Sequence, residues 1–314
     1  MPRSEVVAGS ENEQDEVLDL SILELQSRIQ NFLGEYLSER SRETVGTYRR
    51  SLNEFERWFV KRSVHCRFRS SDIEAYKKYL MFEKGLHEVS VSTYLTAVRR
   101  LCQYLVDVGL LGENPARSVK GNRRPTSHSR KALTRTEVEV LLGSLPDETE
   151  IDLRDRAMIY LMLYGGMSEI EIVRADMQDL DQTLLGWYLR VQGKGHTAKD
   201  QQVPIDLPVI NAIRLYLDAR QRIRPEDPLF VSHGHRSDGQ RLNTRSVRSR
   251  INHHLTVAGV KRPGISPHSL THTAALIWLN DGMSVEDVRR RMRHGTLDTT
   301  MIYFKQQGSL SSSE

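Results

Sequence analysis

The chain has 314 residues, of which 38% are hydrophobic, 27% charged and 7% aromatic. These values exclude a wholly disordered, collagen-like or coiled-coil protein, and the length is sufficient for about two domains of roughly 150 residues each. The formal net charge of +4 is small and identifies no partner until its distribution along the chain is known. The sequence contains no apolar run of the roughly 18 residues that a membrane helix requires.

The first part of the chain changes from an acidic segment to a helical pattern. Residues 1–20 carry one basic and six acidic side chains, and they are predicted to be a disordered tail without the apolar core of a secretory signal. Cys66 and Cys102 form no disulfide framework and are expected to be reduced and packed. Apolar residues at helical spacing then predict a four-helix domain over residues 21–111. Its helices are expected at about 21–39, at 42–62, after a cap at Ser71 or Asp72, and at about 90–109.

A basic segment, residues 112–131, follows this domain. Residues 112–135 carry seven basic side chains and one acidic one, together with prolines and glycines that are typical of a linker. We predict an extended interdomain linker that contacts the phosphate backbone of nucleic acid, against the alternative of a solvated basic loop. The candidate contacts are Arg117, Lys120, Arg123, Arg124, Arg130 and Lys131.

Residues 132–307 are predicted to form a second, mostly helical domain, which a short tail, residues 308–314, follows. Thr134 and Glu137 have the spacing of a capping box at the start of its first helix. Alternating and β-branched residues later predict two short strands that are joined by a glycine-bearing hairpin. The expected elements are a buried helix at 153–164 that ends at Gly165 and Gly166, strands at 186–191 and 201–205, and helices at about 207–222, 244–258, 267–281 and 284–293.

Four residues of the second domain are candidate functional residues because of their side chains and their order in the chain. They are Lys194 in the hairpin, His268 at a helix start, His294 after an arginine-rich helix, and Tyr303. Each alone has an ordinary explanation, such as a solvated charge, a helix cap or a packed ring. With the sequence around them, these residues resemble the tyrosine recombinase (phage integrase) family over nearly the whole chain. The segments that carry the resemblance are GKG with Val203-Pro204 after it, SPHSLTHTAA, MRHGTLDTTMIY and YGGMSEIEIVRADMQDL.

The resemblance implies a mainly α-helical fold of two domains. The first would be a four-helix, SAM-like core-binding domain, and the second the catalytic domain of a tyrosine recombinase, which is helical with a small antiparallel β-sheet. We expect the two domains to hold a DNA duplex between them, with the basic linker along its backbone.

The resemblance also implies covalent phosphoryl transfer without a metal or other cofactor. Tyr303 would be the nucleophile, Lys194 the general acid, and His268 and His294 phosphate ligands and proton carriers. The implied partners are double-stranded DNA and other recombinase protomers, either copies of this chain or a related active recombinase, that assemble on the DNA. The implied location is the cytoplasm of a bacterial or archaeal cell, in association with the nucleoid and not with a membrane.

Two positions depart from the family pattern, because Ser168 and Thr271 stand where the family has arginines that clamp the phosphate. A hydroxyl is short and neutral, and it cannot replace the planar fork of a guanidinium. Arg174 projects away from the position of Ser168, and the run Arg289–Arg293 could reach the site only through an unusual packing. We therefore expect this chain to bind DNA and to cleave it extremely slowly.

Both a natural pseudo-enzyme and a recombinase with deliberately replaced arginines fit this pattern. Two further interpretations stay open. One is a catalytically inactive accessory subunit of a recombination complex, and the other is an architectural or regulatory DNA-binding protein.

Overall fold

The computed structural model divides into two compact units, Met1–Pro125 and Thr126–Glu314. Both units are mainly helical and each contains one small antiparallel sheet. The predicted fold class, a mainly helical chain of two domains, is confirmed. The structure describes residues 18–40, 42–62, 65–121, 131–184, 186–193, 198–220, 223–234, 237–297, 299–301 and 303.

Within its described residues, the first unit has four α-helices, three of them close to their predicted positions. A two-stranded sheet that the sequence analysis did not predict pairs β1 with β2, and it brings residues 19 and 20 of the predicted acidic tail into the fold. The predicted cap of the third helix is two to three residues too late, since the N-cap is Arg69, and Asp72 accepts a hydrogen bond from the Arg69 amide. The elements are β1 (Asp19–Ser21), α1 (Ile22–Asn31) with a π-helical turn (Phe32–Tyr36), α2 (Arg42–Arg62), β2 (His65–Arg67), α3 (Ser70–Lys78) with a π-helical turn (Tyr79–Glu83), and α4 (Glu88–Asp107).

Aromatic residues form the centre of this first core. The ring of Phe55 lies 4.9 Å from the ring of Tyr76 and 4.8 Å from that of Phe59, centroid to centroid, in edge-to-face packing. Such pairs contribute about 0.5–1.5 kcal/mol beyond the area that they bury. The rings are core residues and do not form an exposed stacking surface.

The start of the predicted linker packs against the first unit. Ala116 and Val119 are buried in its core, and the Arg99 guanidinium donates hydrogen bonds to both of their carbonyl oxygens, at 3.2 and 3.0 Å. The expectation of an extended linker was therefore wrong for residues 112–121, because two apolar side chains anchor this segment. Arg117 and Lys120 remain exposed, whereas Arg123, Arg124 and Arg130 lie outside the described residues.

The second unit contains the predicted hairpin and one strand more. The capping box of Thr134 and Glu137 forms as predicted. Strands β4 and β5 have the predicted bounds, and β3 extends them to an antiparallel sheet of order β3-β4-β5. The elements are α5 (Arg135–Gly143), α6 (Glu150–Tyr164), α7 (Glu169–Arg174), β3 (Leu180–Thr183), β4 (Gly186–Val191), β5 (Gln201–Ile205), α8 (Leu207–Ala219), α9 (Thr244–Val257), α10 (Pro267–Asn280) and α11 (Val285–Arg291).

Helix α6 runs through this second core and carries a buried ionic cluster. Arg154 and Asp155 are 3% and 0% exposed, and the Asp155 carboxylate also contacts Arg250 and the Nε2 atom of His254 at 3.0 Å, both on α9. Burial raises the pKa of Asp155, but the hydrogen bonds with His254, Arg154 and Arg250 and the charge of Arg154 outweigh it, so that the pKa lies below its usual value. The cluster fixes α6 to α9 and thereby positions the turn at the end of α6.

Candidate active site

The site begins at the glycine turn that ends α6. Gly166 has a φ of +58°, a left-handed conformation that glycine adopts at little cost. A Cβ atom at this position would lie 2.7 Å from the ring of Trp278 and 3.0 Å from the sulfur of Met292. The backbone conformation and the close packing therefore both require glycine, and they fix the direction in which the chain leaves towards Ser168.

Ser168 is the N-cap of α7. Its amide and its hydroxyl both donate to the same carboxylate oxygen, Oε2 of Glu171, at 2.7 and 2.8 Å. Glu171 is 6% exposed. According to the sequence analysis, the family has a phosphate-binding arginine at this position. Here the Ser168 hydroxyl instead donates a hydrogen bond to a carboxylate of its own helix.

Thr271, the second of these positions, lies on α10. It is 4% exposed, and its Oγ1 atom donates to the carbonyl oxygen of Met167 at 3.1 Å. This bond ties α10 to the segment between Gly166 and Ser168. The two positions are therefore neighbours of one backbone segment, and each holds a neutral side chain bonded to protein.

Tyr303 is 2% exposed and packs among histidine rings. Its ring centroid lies 4.9 Å from that of His272 and 6.0 Å from that of His294, and the His294 ring is nearly parallel to it. His268 lies 4.9 Å from His272. Of the predicted site residues, the structure thus brings His268, His294 and Tyr303 into one cluster, while Lys194 lies outside the described residues.

His272 is a site residue that the sequence analysis missed. It lies four residues after His268 on α10, so both rings project from the same face of the helix, and this spacing was a readable signal. His272 is 2% exposed, and its ring connects those of His268 and Tyr303.

The segment that carries the tyrosine is held by bonds around His294. The Nδ1 atom of His294 lies 2.9 Å from the Oγ1 atom of Thr300, a buried residue, and Arg289 donates to the His294 carbonyl oxygen at 2.9 Å. These bonds set the orientation of the His294 ring before any substrate binds.

Arg293 reaches the glycine turn, a contact that according to the sequence analysis requires an unusual packing. It is the one non-glycine residue with a positive φ, +58°, in the part of the chain that the structure describes. Its guanidinium contacts both Glu171 carboxylate oxygens, at 2.6 and 3.0 Å, and donates to the Gly166 carbonyl oxygen at 2.8 Å. A guanidinium is therefore present beside Ser168, although it comes from a different element.

The other arginines around α11 are paired with acids. Each of these arginines has its own carboxylate partner, and each pair is exposed or half-exposed. They are Arg289 with Glu286, Arg290 with Asp287, and Arg291 with Asp206.

Among the described residues, no group of three or more His, Cys, Asp or Glu side chains could hold a metal ion. Within the same residues, none of the helices combines the length and the apolar character that crossing a membrane requires.

A mainly helical chain of two domains, with a tyrosine packed among histidines at the end of the second domain, has the features of the tyrosine recombinases. Comparison with family models agrees. Residues 131–309 match the model of the phage integrase family, and residues 29–109 match that of the phage integrase N-terminal SAM-like domain. The chain belongs to the phage integrase family of tyrosine recombinases and integrases.

Individual relatives extend over most of the chain. It is 29% identical to tyrosine recombinase XerD of Vibrio cholerae over 285 residues, which cover 88% of this chain and 91% of the relative. It is 31% identical to tyrosine recombinase XerC of Chlamydia pneumoniae over 227 residues, which cover 71% of this chain and 69% of the relative.

Solved structures share the fold. The XerH site-specific recombinase bound to a palindromic difH substrate, in a post-cleavage complex, has a TM-score of 0.67 at 17% identity; the match covers 93% of this chain and 84% of that one. A lambda integrase dimer bound to a COC' core site has a TM-score of 0.68 at 13% identity; it covers 91% and 77%, respectively.

Proposed function

We propose that this chain is a protomer of a site-specific recombinase, that it binds double-stranded DNA, and that its own strand cleavage is severely impaired. The observation that carries the proposal is the cluster around Tyr303. A buried tyrosine among three histidines is arranged for covalent chemistry, whereas the two positions that the family uses to clamp the phosphate hold Ser168 and Thr271.

The reaction for which this cluster is suited is a transesterification. The Tyr303 hydroxyl oxygen would attack a DNA phosphorus, forming a 3′-phosphotyrosyl bond as the bond to the 5′ oxygen breaks. A neighbouring imidazole would take the phenol proton, and the departing 5′ oxygen would receive a proton from Lys194. Attack by another strand's 5′-hydroxyl would reverse these steps and join the new strands.

The expected impairment follows from the loss of cationic donors that contact the phosphate. Phenol has a pKa near 10, so a tyrosine nucleophile beside a phosphate depends on nearby cations. Loss of one fixed donor to the transition-state oxygens commonly costs about 10²–10³ in rate, and loss of an arginine on a transferred phosphoryl group about 10³–10⁵. The hydroxyls of Ser168 and Thr271 donate to Glu171 and to the Met167 carbonyl, so neither replaces those donors.

DNA affinity should be preserved better than cleavage, because it depends on many separate phosphate contacts. Arg117, Lys120 and Lys131 are exposed and would contribute such contacts from the basic segment. Arg123, Arg124 and Arg130 are assigned the same role from the sequence.

The test uses a duplex that the protein itself selects from a random-sequence library. A nicked version of this duplex traps the covalent intermediate, because the short fragment diffuses away after cleavage. We expect a clear mobility shift and a covalent adduct that is barely detectable, and Tyr303→Phe should leave the shift unchanged while removing any adduct. Failure to select any duplex would contradict DNA binding, and rapid formation of adduct by the unmodified chain would contradict the impairment.

A second candidate function is an inactive accessory subunit that occupies one DNA arm beside an active recombinase. The internal bonding of Ser168 and Thr271 favours it, since both positions are integrated into the fold with neutral side chains. Mixing the chain with an active relative on a two-site duplex separates the candidates: an accessory subunit would change the partner's cleavage rate, and an isolated impaired recombinase would only compete for sites.

A further inference from the structure

We infer that Arg293 supplies, from the segment after α11, the guanidinium that position 168 lacks, and that it acts as a positioning residue for the segment that carries His294 and Tyr303. This inference rests on the proposed function for its catalytic meaning, but its structural part is independent of activity.

Positions 168 and 293 share one hydrogen-bond acceptor. The Oε2 atom of Glu171 accepts the Ser168 hydroxyl at 2.8 Å and the Arg293 Nη2 atom at 3.0 Å. A side chain at 168 and the guanidinium of residue 293 therefore meet at the same carboxylate oxygen. An arginine placed at 168 would compete with Arg293 for Glu171.

The ion pair between Arg293 and Glu171 is buried. The side chains of Arg293 and Glu171 are only 4% and 7% exposed. Removing one partner of such a buried pair strongly destabilises a protein, because the other charge is left without compensation. Glu171 therefore needs one guanidinium in this pocket, and with serine at 168 it is Arg293 that provides it.

The backbone of Arg293 has an unusual conformation. A φ of +58° is uncommon for a non-glycine residue, and it persists where surrounding contacts fix it. Here the contacts are the two bonds to Glu171 and those to the carbonyl oxygens of Gly166 and Arg291. The strained residue is directly followed by His294, so these bonds also fix where His294 begins.

The hydrogen bonds of Arg293 explain why this residue positions the segment that carries His294 and Tyr303 and does not clamp a phosphate. Four of the five N–H groups of its guanidinium donate to protein oxygens. The pair of Arg293 and Glu171 has the same net charge as a pair of Glu171 with an arginine at position 168 would have. However, at most one N–H group of Arg293 remains to bind a phosphate. The charge is thus kept in the site, while the two-pronged donor is lost.

The experiment that tests this inference moves the arginine from position 293 to position 168. The variants are Arg293→Gly, Ser168→Arg and the exchange variant with both changes, and glycine is chosen because it adopts the positive φ. Ser168→Met with Arg293→Gly is the matched control, since methionine is long and flexible but uncharged. Arg293→Lys tests whether charge without the bidentate geometry is enough, and it keeps the test valid if Arg293→Gly fails to fold.

The first readout is thermal unfolding of the full chain without DNA. Arg293→Gly should lower the midpoint by about 5–15 °C, because Glu171 loses its cation. The exchange variant should recover at least half of that loss, while the methionine control should recover none. An exchange variant no more stable than the control would overturn the inference.

The second readout is the covalent adduct on the selected nicked duplex, with Thr271→Arg present in every variant. The exchange should raise the rate of adduct formation at least tenfold more than Ser168→Arg alone, in which Arg293 still occupies Glu171, because the arginine at 168 then pairs with Glu171 while glycine at 293 keeps the positive φ that places His294. Equal gains with and without Arg293 would overturn the inference. If thermal coupling is found and DNA binds but no variant forms adduct, the inference stands and the proposed cleavage function fails.

Discussion

Gly166→Ala is the substitution for which the structure gives the clearest expected cost. At a φ of +58°, a non-glycine residue brings its Cβ too close to the backbone, which costs about 1–2 kcal/mol. The new methyl group would also lie 2.7 Å from the Cη2 atom of Trp278 and 3.0 Å from the sulfur of Met292. Neither neighbour has free space, since both residues are 6% exposed.

The second cost is that of overpacking, about 1–3 kcal/mol, because Trp278 must move against α11. The two contributions together predict a loss of about 2–5 kcal/mol in the free energy of unfolding of the second unit. Gly282→Ala isolates the first contribution, since Gly282 has a φ of +87° and nothing within 4 Å of a built Cβ atom. That control should lose only about 1–2 kcal/mol.

The assay is urea unfolding followed by tryptophan fluorescence in a Trp58→Phe background. Trp58 belongs to the first unit, so the remaining signal comes from Trp187 and Trp278 of the second unit. A Gly166→Ala variant that loses no more stability than Gly282→Ala would refute the argument from close packing at the glycine turn.

Three further predictions concern charge and burial. Affinity for the selected duplex should fall about 10³–10⁵-fold between 50 and 200 mM salt. The double variant Arg117→Ala with Lys120→Ala should reduce the slope of log affinity against log salt by about two. An unchanged slope would show that these two residues do not contact the DNA. Because its pKa is lowered in the fold, Asp155 stabilises the folded state above its unfolded pKa near 3.9, and this contribution is lost as the pH falls through the folded pKa. The Asp155→Asn variant should therefore be less stable than the unmodified chain at pH 6 but lose less stability between pH 5 and pH 2.5. Equal losses of stability in the two proteins over this pH range would contradict the prediction. Burial raises the pKa of the Cys66 thiol to about 11 and that of Cys102 to about 12, so thiol modification at pH 8 should proceed only as fast as unfolding; labelling within seconds of the native chain would contradict their burial.

Local patterns predicted those elements whose signal lies within a few neighbouring residues. The strands Gly186–Val191 and Gln201–Ile205 were predicted with their observed bounds, because alternation and β-branching flank a glycine-bearing turn. The short strands Asp19–Ser21 and His65–Arg67 were missed, since three residues show no period and each strand exists only through its distant partner.

The same distinction applies to the candidate site. The clustering of His268, His294 and Tyr303 was predicted from the family resemblance, and His272 could have been added from its spacing on the helix. Arg293 could not have been found, because its role depends on a backbone angle and on contact with Glu171, 122 residues earlier in the chain.

The pairing of the arginines around α11 has a consequence for how the protein meets a long-range partner. A charge held within about 3 Å of an opposite charge forms a dipole with it, and at longer range the contributions of the two charges to the potential nearly cancel. The most basic run of the sequence therefore contributes little to the electrostatic potential that guides diffusional encounter. Association rates should respond mainly to the exposed basic residues elsewhere, so that removing the charges of Arg117 and Lys120 slows encounter more than removing both charges of the Arg290–Asp287 pair. The pairs are Arg289–Glu286, Arg290–Asp287, Arg291–Asp206 and Arg293–Glu171.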